Sequence, residues 1–240
     1  MNKLNDTLLL QFANTFYGYG NYQAPYWFLG MEEGGGNSID EINRRFSTWE
    51  MRGAMELEDV AEYHIALGFP EFFSSKSKIQ NTWGKQIRFI FGVNNKPVDT
   101  EIVRDYQRDA WGRKSSNNCI IELFPLPSPG TGDWIYGEAS NLDILKDRKT
   151  YRNSFFPTRI KHIQHTIEEF QPKVICAFSF TYMNYWEVLT GGKFYENEKE
   201  NYFSNSIGNT KIVVLQHPAA RGVRSEYFYN VGRSVANNYL

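Results

Sequence analysis

Four short apolar runs are spread along the chain, and each ends in polar or small residues. They are YWFLG at 26–30, NCIIELF at Asn118–Phe124, KVICAF at 173–178 and KIVVL at 211–215. Apolar runs of this length without alternation are typical of strands that are buried on both faces of a parallel sheet. The pattern therefore predicts a central sheet of four mostly parallel strands.

Helical periodicity fills the segments between these runs. Ser38 and Glu41 form a capping box, and the apolar residues that follow, Ile42, Phe46 and Trp49, recur on one helix face. Helices are predicted at 5–16, from 38 onward, and at 57–67, 78–91, 100–111, 158–170, 181–189 and 225–238. Strands that alternate with helices predict an α/β fold, an open sheet with helices on both faces.

The segment 37–117 separates the first two predicted strands and is far longer than one crossover helix requires. We interpret it as a helical insertion within a single domain that spans 1–240, because no repeat or low-complexity linker divides the chain.

Polar side chains follow three of the four predicted strands. Glu32 and Glu33 come directly after the first strand, Glu122 lies near the end of the second, and His217 follows the fourth. In open α/β sheets, ligands bind beyond the carboxyl ends of the strands. These four side chains are therefore predicted to converge at one edge of the sheet, although they are far apart in sequence.

Composition excludes several classes of protein. The 240 residues carry a net charge of -1, have a mean hydropathy of -0.52 and include two cysteines. We expect a cytoplasmic protein without a membrane span or signal peptide, and without a metal, a cofactor or an iron–sulfur cluster. The charge argues against broad, nonspecific coating of nucleic acid, but it leaves room for a local basic patch.

The first strand runs into GMEEGGG, and the three glycines resemble a phosphate-binding turn. The spacings of the dinucleotide-binding and P-loop motifs are absent, so a loop or helix start explains the glycines equally well. A carboxylate at this position, Glu32 or Glu33, can activate a water, or it can belong to a solvated acidic loop.

The last strand runs into QHPAARGVR. His217 can donate a hydrogen bond to a leaving group, or it can be structural. Arg221 and Arg224 can contact phosphates, or they can be ordinary surface charge.

Two of these segments together resemble a known family. FLGMEEGGG and LQHPAARG resemble the first and second motifs of the uracil-DNA glycosylase superfamily, and the first is closest to the GMNPG type of the single-strand-selective monofunctional enzymes. IIELFPLP is similar to the NHCPL region of that type. The resemblance covers the four strands and their ends, but not the segment 37–117.

The resemblance implies a three-layer αβα domain that flips a nucleotide out of DNA and hydrolyses its N-glycosidic bond. On this basis Glu32 corresponds to the water-activating residue and His217 to the residue that stabilises the departing base. The segment 219–224 corresponds to the loop that enters the minor groove, with Arg221 filling the vacated space and Ala219 and Arg224 also contacting DNA. The residues expected to bind the substrate are Met31, Glu33, Gly34, Phe46, Glu122 and Phe124, with Phe46 stacking on the base.

Two positions depart from the family pattern. Glu33 replaces a proline, and Glu122 replaces the asparagine that reads the uracil edge. An ionised glutamate only accepts hydrogen bonds. If Glu122 enters the pocket ionised, the preferred base should present two donors, as guanine does, whereas a protonated Glu122 would weaken that preference.

Two other functions remain open at this point. The fold can serve as a module that binds nucleic acid or a modified base without hydrolysing it. It can also serve as a hydrolase of free nucleosides or nucleotides, with the helical insertion as a lid.

Overall fold

The computed structural model describes residues 3–74 and 76–239, and their strands form one mixed eight-stranded sheet. The strands are β1 Gly18–Gly20, β2 Tyr26–Glu32, β3 Leu57–Glu58, β4 Asn118–Phe124, β5 Val174–Phe178, β6 Tyr195–Asn197, β7 Tyr202–Ile207 and β8 Thr210–Leu215. The helices are α1 Asp6–Thr15, α2 Ile39–Met51, α3 Val60–Ala66, α4 Asn81–Val93, α5 Thr100–Asp109, α6 Tyr136–Ala139, α7 Arg148–Phe170, α8 Met183–Thr190 and α9 Ser225–Tyr239.

The four predicted strands form the centre of this sheet. They are parallel and lie in the order β4-β2-β5-β8. Two further strands extend each side: β1 is antiparallel to β4 with β3 beyond it, and β7 is antiparallel to β8 with β6 beyond it. The α/β class is therefore confirmed, but the sheet is larger and more mixed than the predicted four-stranded one.

Local capping explains where several helices begin. Asn5 accepts a hydrogen bond from the Leu8 amide at 3.2 Å, and Ser38 accepts one from the Glu41 amide at 3.2 Å. Helix α7 begins at Arg148 and not at residue 158 as predicted, and it contains Pro157 in its interior. The prediction placed the helix start at the proline, whereas the capping residue is Asp147, which accepts from the Thr150 amide at 2.7 Å.

Helix α4 lies across one face of the sheet and runs antiparallel to β2. At the amino edge, the Tyr26 hydroxyl donates to Oδ1 of Asn94, the residue after α4, at 3.0 Å. In the middle of the strand, the Phe28 ring contacts the Phe89 ring at 6.1 Å. At the carboxyl edge, Lys85 donates to the Pro218 carbonyl. The first turns of α4 therefore lie at the edge where ligands bind in α/β folds.

Helix α7 covers the opposite face. Trp27 points away from Phe28 because neighbouring residues of a strand alternate. Its ring contacts Tyr22 at 5.4 Å, and Tyr22 contacts Phe170 at the end of α7 at 5.5 Å. The sheet therefore has helices on both faces, as the alternation of strands and helices predicts.

The segment 37–117 contains α2 to α5 and the short strand β3, which pairs with β1. This segment is therefore attached to the sheet both by strand pairing and by the packing of α4. Within the described residues, no helix is long and apolar enough to cross a membrane.

Candidate active site

Glu122 lies on the face of the sheet that α4 covers. It is paired in register with Gly30, and Tyr26, Phe28 and Gly30 share one face of β2 because they are two residues apart. A Cβ atom on Gly30 would lie 2.2 Å from Glu122 Oε2, so the carboxyl group occupies the space that a side chain at position 30 would take. Gly30 therefore makes room for a carboxyl group between the sheet and α4.

The Glu122 carboxyl is only partly satisfied by the protein. The side chain retains some exposure, while its Oε2 atom is buried and makes no hydrogen bond within the described part of the chain. Burial raises the pKa of Glu122 well above its usual value, and the charges of Glu33 and Glu32 raise it further, against the lowering effect of Arg159. Burial therefore favours the protonated form of the Glu122 carboxyl in the free protein, which weakens the case for an ionised acceptor at this position.

Glu32 is held by two arginines of α7. Arg152 donates to Glu32 Oε1 through Nε at 2.9 Å and Nη2 at 2.7 Å, and Arg148 donates to Oε2. Strand alternation places Glu32 on the same face as Gly30, yet its carboxylate contacts the helix of the other face. The expected role of Glu32 as the free water-activating carboxylate is therefore not supported, because charge-assisted bonds to two guanidinium groups occupy it.

Glu33 contacts a different set of residues. The Tyr19 hydroxyl donates to Glu33 Oε1 at 2.8 Å, and Arg45 Nη1 lies 3.1 Å from the same oxygen. His64 Nε2 lies 3.8 Å from that oxygen, and the His64 ring meets Trp83 of α4 at 5.4 Å. Glu33 is therefore connected to the side of the sheet on which α4 lies.

His64 is a neutral member of this cluster. Its Nδ1 lies 2.7 Å from the Val60 carbonyl, which assigns the proton to Nδ1 and leaves Nε2 with no proton to donate to Glu33. Burial lowers the pKa of His64, which keeps the ring uncharged at neutral pH.

His217 is exposed at the end of β8, and it also lies on the α4 side. Its Nδ1 accepts from the Ala219 amide at 3.1 Å, so the neutral ring carries its proton on Nε2. Desolvation lowers the pKa of His217, and the positive charge of Lys85 lowers it further. Since β5 separates β2 from β8, the Gly30 and His217 strands are about 10 Å apart.

The segment 217–224 is a turn on the surface. The Ala220 amide donates to the His217 carbonyl at 2.9 Å, and Gly222 has a φ of 82°, which favours glycine. Ala219, Arg221 and Arg224 are exposed, and neither arginine forms an ion pair with any residue in 3–74 or 76–239. The structure thus leaves both cations available to a ligand.

Two of the residues predicted to bind the substrate are core residues. Phe46 is fully buried, and its ring contacts Phe12 at 4.8 Å. Phe124 is also fully buried, with Tyr151 of α7 at 5.6 Å. Neither ring is therefore exposed to stack on a base in this structure. Met31 is buried and Gly34 is exposed.

The amide groups of the glycine turn are already in use. The Gly36 and Asn37 amides each donate to the Glu41 carboxylate at 2.9 Å. Gly36 has a φ of 75°, and a Cβ atom there would lie 2.6 Å from the Pro127 carbonyl oxygen. Gly36 therefore allows a close approach of two loops, and its amide is not free to bind a phosphate.

A shallow cavity of about 340 Å³ lies where these two loops meet, between Asn37 and Trp134. The wall of the cavity continues into the loop that contains Gly130. Arg148 holds this loop by donating a hydrogen bond to the Gly130 carbonyl at 2.8 Å. The cavity therefore lies on the α7 side of Glu32 and not beside Glu122.

Sequence reasoning missed the partners of the predicted residues. They are Lys85 of α4, His64 of α3, and Arg148 and Arg152 of α7. Only the two arginines carried a signal, since basic residues four apart lie on one face of a helix. A buried Gln86 in an amphipathic segment cannot be distinguished from an exposed one without the fold.

The described residues contain no group of three or more His, Cys, Asp or Glu side chains arranged to hold a metal ion. The chemistry available at the carboxyl edge is therefore that of a carboxyl group with a raised pKa, a paired carboxylate, two neutral imidazoles and exposed arginines. No protein-family model matches the chain, and no curated protein matches it.

Proposed function

We propose that the protein is a DNA glycosylase-like hydrolase that cleaves the N-glycosidic bond of a base extruded from nucleic acid. The observation that carries this proposal is the placement of Glu122 and His217 on the same face of the sheet, at its carboxyl edge, beside a turn with two unpaired arginines. A base bound against Glu122 would be covered by α4, while the sugar-phosphate backbone of the nucleic acid remained near Arg221 and Arg224.

His217 is suited to stabilising the departing base. The residue is exposed and carries its proton on Nε2, and its neutral form is favoured by desolvation and by the charge of Lys85. A neutral donor can bind the negative charge that develops on a base as the glycosidic bond breaks.

The water-orienting role fits Glu33 better than Glu32. An ionised carboxylate has about four lone-pair positions. Glu32 accepts three N–H bonds from Arg148 and Arg152, whereas Glu33 accepts one O–H bond, from Tyr19, and forms an ion pair with Arg45 through the same oxygen, which leaves Oε2 without these contacts. Glu33 therefore retains the capacity to orient a water molecule, and Glu32 contributes fixed charge.

A binding module without hydrolysis is the second candidate. The observation that favours it is the double ion pair of Glu32. Glu32 corresponds to the family's water-activating residue, and its carboxylate is bound by two arginines instead of being free to bind water. In that case the same pocket would bind a base, and no free base would be released.

Release of free base from oligonucleotides tests the proposal. Single- and double-stranded substrates carrying uracil, hypoxanthine and guanine lesions should be screened, together with free nucleosides. We expect release from at least one oligonucleotide, and a loss of about 100-fold in single-turnover rate for Glu33→Gln and for His217→Ala. Glu198→Gln and His165→Ala alter exposed residues and are the matched controls.

The outcomes separate the candidates. Binding without release, unchanged by Glu33→Gln, would replace the hydrolase with the binding module. Cleavage of free nucleosides in preference to oligonucleotides would instead indicate a nucleoside hydrolase. Activity that survives in both variants would remove Glu33 and His217 from the site.

A further inference from the structure

Gln86 of α4 lies at the level of Gly30 and Glu122. The contact of Asn94 with Tyr26 aligns the end of α4 with the start of β2. From Asn94 back to Gln86 the helix rises about 12 Å, and from Tyr26 to Gly30 the strand advances about 13 Å. Because helix and strand are antiparallel, Gln86 faces the part of the sheet where the Glu122 carboxyl lies.

Gln86 is also in the middle of the buried face of α4. Phe89 and Ile90, three and four residues further on, are both buried, and Gln86 itself is 5% exposed. Its Oε1 atom is buried and has no hydrogen-bond partner among residues 3–74 and 76–239. An amide on this face is therefore directed into the space between α4 and the sheet.

Two unpartnered oxygens thus share this space, Gln86 Oε1 and Glu122 Oε2. Burying a polar atom without a partner costs free energy, and apolar residues of similar size would avoid that cost. Such atoms are rare in folded proteins and require an explanation, and a bound ligand that donates to them is one. Neither oxygen accepts a hydrogen bond from the described residues, so a ligand that supplies donors would satisfy both.

We propose that Gln86 and Glu122 together bind the edge of a 2-amino-6-oxopurine, the guanine type of base. This inference rests on the proposed function, since it names the class of base that the site accepts. It adds Gln86 as a residue that determines specificity. Gln86 lies on α4, which is in the segment 37–117 that the family resemblance does not cover.

The hydrogen-bonding capacities of the two side chains match that edge. A protonated Glu122 offers a donor to the O6 carbonyl and an acceptor to N1–H, and Gln86 Oε1 accepts from the exocyclic amine. Hypoxanthine lacks the amine and leaves Gln86 unpaired. Uracil presents a second carbonyl at that position, which opposes the amide oxygen.

Binding of soluble nucleosides tests this inference without requiring catalysis. Deoxyguanosine and deoxyinosine differ only in the exocyclic amine, and deoxyuridine provides the second carbonyl. Calorimetry or NMR titration of the full chain should show deoxyguanosine binding at least about tenfold more tightly than either of the others. Gln86→Leu should abolish the preference for deoxyguanosine over deoxyinosine, and Gln11→Leu, at an exposed site on α1, should not.

The melting temperature distinguishes a ligand-binding role from a structural one. Gln86→Leu removes a buried polar atom without a partner, so the variant should melt at the same temperature as the wild type or higher. Gln86→Met provides a second variant of similar length should leucine pack poorly. A lowered melting temperature in both variants would overturn the inference, because Gln86 would then be satisfied within the protein.

The remaining outcomes are also decisive. Equal or tighter binding of deoxyinosine or deoxyuridine would overturn the inference, as would the absence of binding by all three nucleosides. A preference for deoxyguanosine without release of base from any oligonucleotide would support the inference while contradicting hydrolysis. Release of base from an oligonucleotide, together with nucleoside binding that Gln86→Leu leaves unchanged, would support hydrolysis while contradicting the inference.

Discussion

At the scale of the single residue, Glu122 is the carboxyl group whose pKa is raised by burial within the site. It is a carboxyl group placed between a sheet and a helix, with room for it only because residue 30 is glycine. Its raised pKa means that the folded protein binds its proton more tightly than the unfolded chain does. Stability and protonation at this position are therefore linked.

The linkage predicts how stability changes with pH. Below the usual glutamate pKa of about 4.3 both states hold the proton, and the shift costs nothing. As the pH rises from there toward the raised value, the unfolded chain releases its proton first, so the contribution of Glu122 makes the folded state less stable. Glu122→Gln does not titrate and should gain stability relative to the wild type as the pH increases from 4 to 8, measured by urea unfolding.

Glu198→Gln is the control for this measurement, because Glu198 is exposed and should show a difference from the wild type that is constant with pH. A constant difference for Glu122→Gln as well would mean that Glu122 is ionised in the folded protein.

At the scale of the element, the first turns of α7 act on the end of β2. Arg148 and Arg152 are four residues apart on one helix face and meet the same carboxylate. Arg148 also donates to the Gly130 carbonyl and to Ser128 Oγ, both at 2.8 Å. One helix end therefore secures both the end of β2 and the loop that follows β4.

Breaking this contact should be costly. Arg152→Met removes two charge-assisted hydrogen bonds from a carboxylate that is 9% exposed, and we expect the free energy of unfolding to fall by about 2 kcal/mol. Arg108→Met, which removes the surface ion pairs of Arg108 with Asp105 and Asp109, should change stability little. Equal effects of the two variants in chemical denaturation would show that the Glu32 pair is no stronger than a surface pair.

The elements differ in how well the sequence predicted them. The strand β4 was predicted to the residue, and β5 and β8 to within one, because continuous apolar runs define buried parallel strands. The strands β1, β3, β6 and β7 were not predicted. The first has three residues with two glycines, and β3 has two residues, so neither carries a period that a pattern could show.

At the scale of the whole molecule, the net charge of -1 does not prevent positive charge from clustering locally. Arg221 and Arg224 are exposed on one turn at the same edge as His217, with no acidic partner among the residues that the structure describes. If this turn contacts nucleic acid, each phosphate contact releases counterions, which makes affinity depend on salt.

The salt dependence supplies a prediction for the turn. Arg221→Ala or Arg224→Ala should reduce the slope of log affinity against log salt by about 0.7 for a single-stranded oligonucleotide. Fluorescence anisotropy at several salt concentrations measures this slope. Arg233→Ala, at an exposed position on α9, is the matched control and should leave the slope unchanged. A slope equal to that of the wild type in all three variants would place the nucleic acid elsewhere.

The candidate site was only partly predictable from the sequence. The strand ends indicated where Glu122 and His217 would lie, because the carboxyl ends of parallel strands share an edge. The partners of Glu32 and the burial of Phe46 depend on how α7 and α2 pack, and helix packing leaves no direct signal in a single sequence. The same limit hid Gln86.

The residues that attach α4 to the sheet at both ends are different from the residue proposed to select the ligand. The hydrogen bonds to Tyr26 and Pro218 set the height of the helix above the sheet, while residue 86 takes part in neither bond. Substitutions at position 86 can therefore alter which ligand is accepted without shifting the helix or the register of the strands. Descendants of one ancestral fold could diverge in substrate choice through this single helix, with the sheet conserved beneath it.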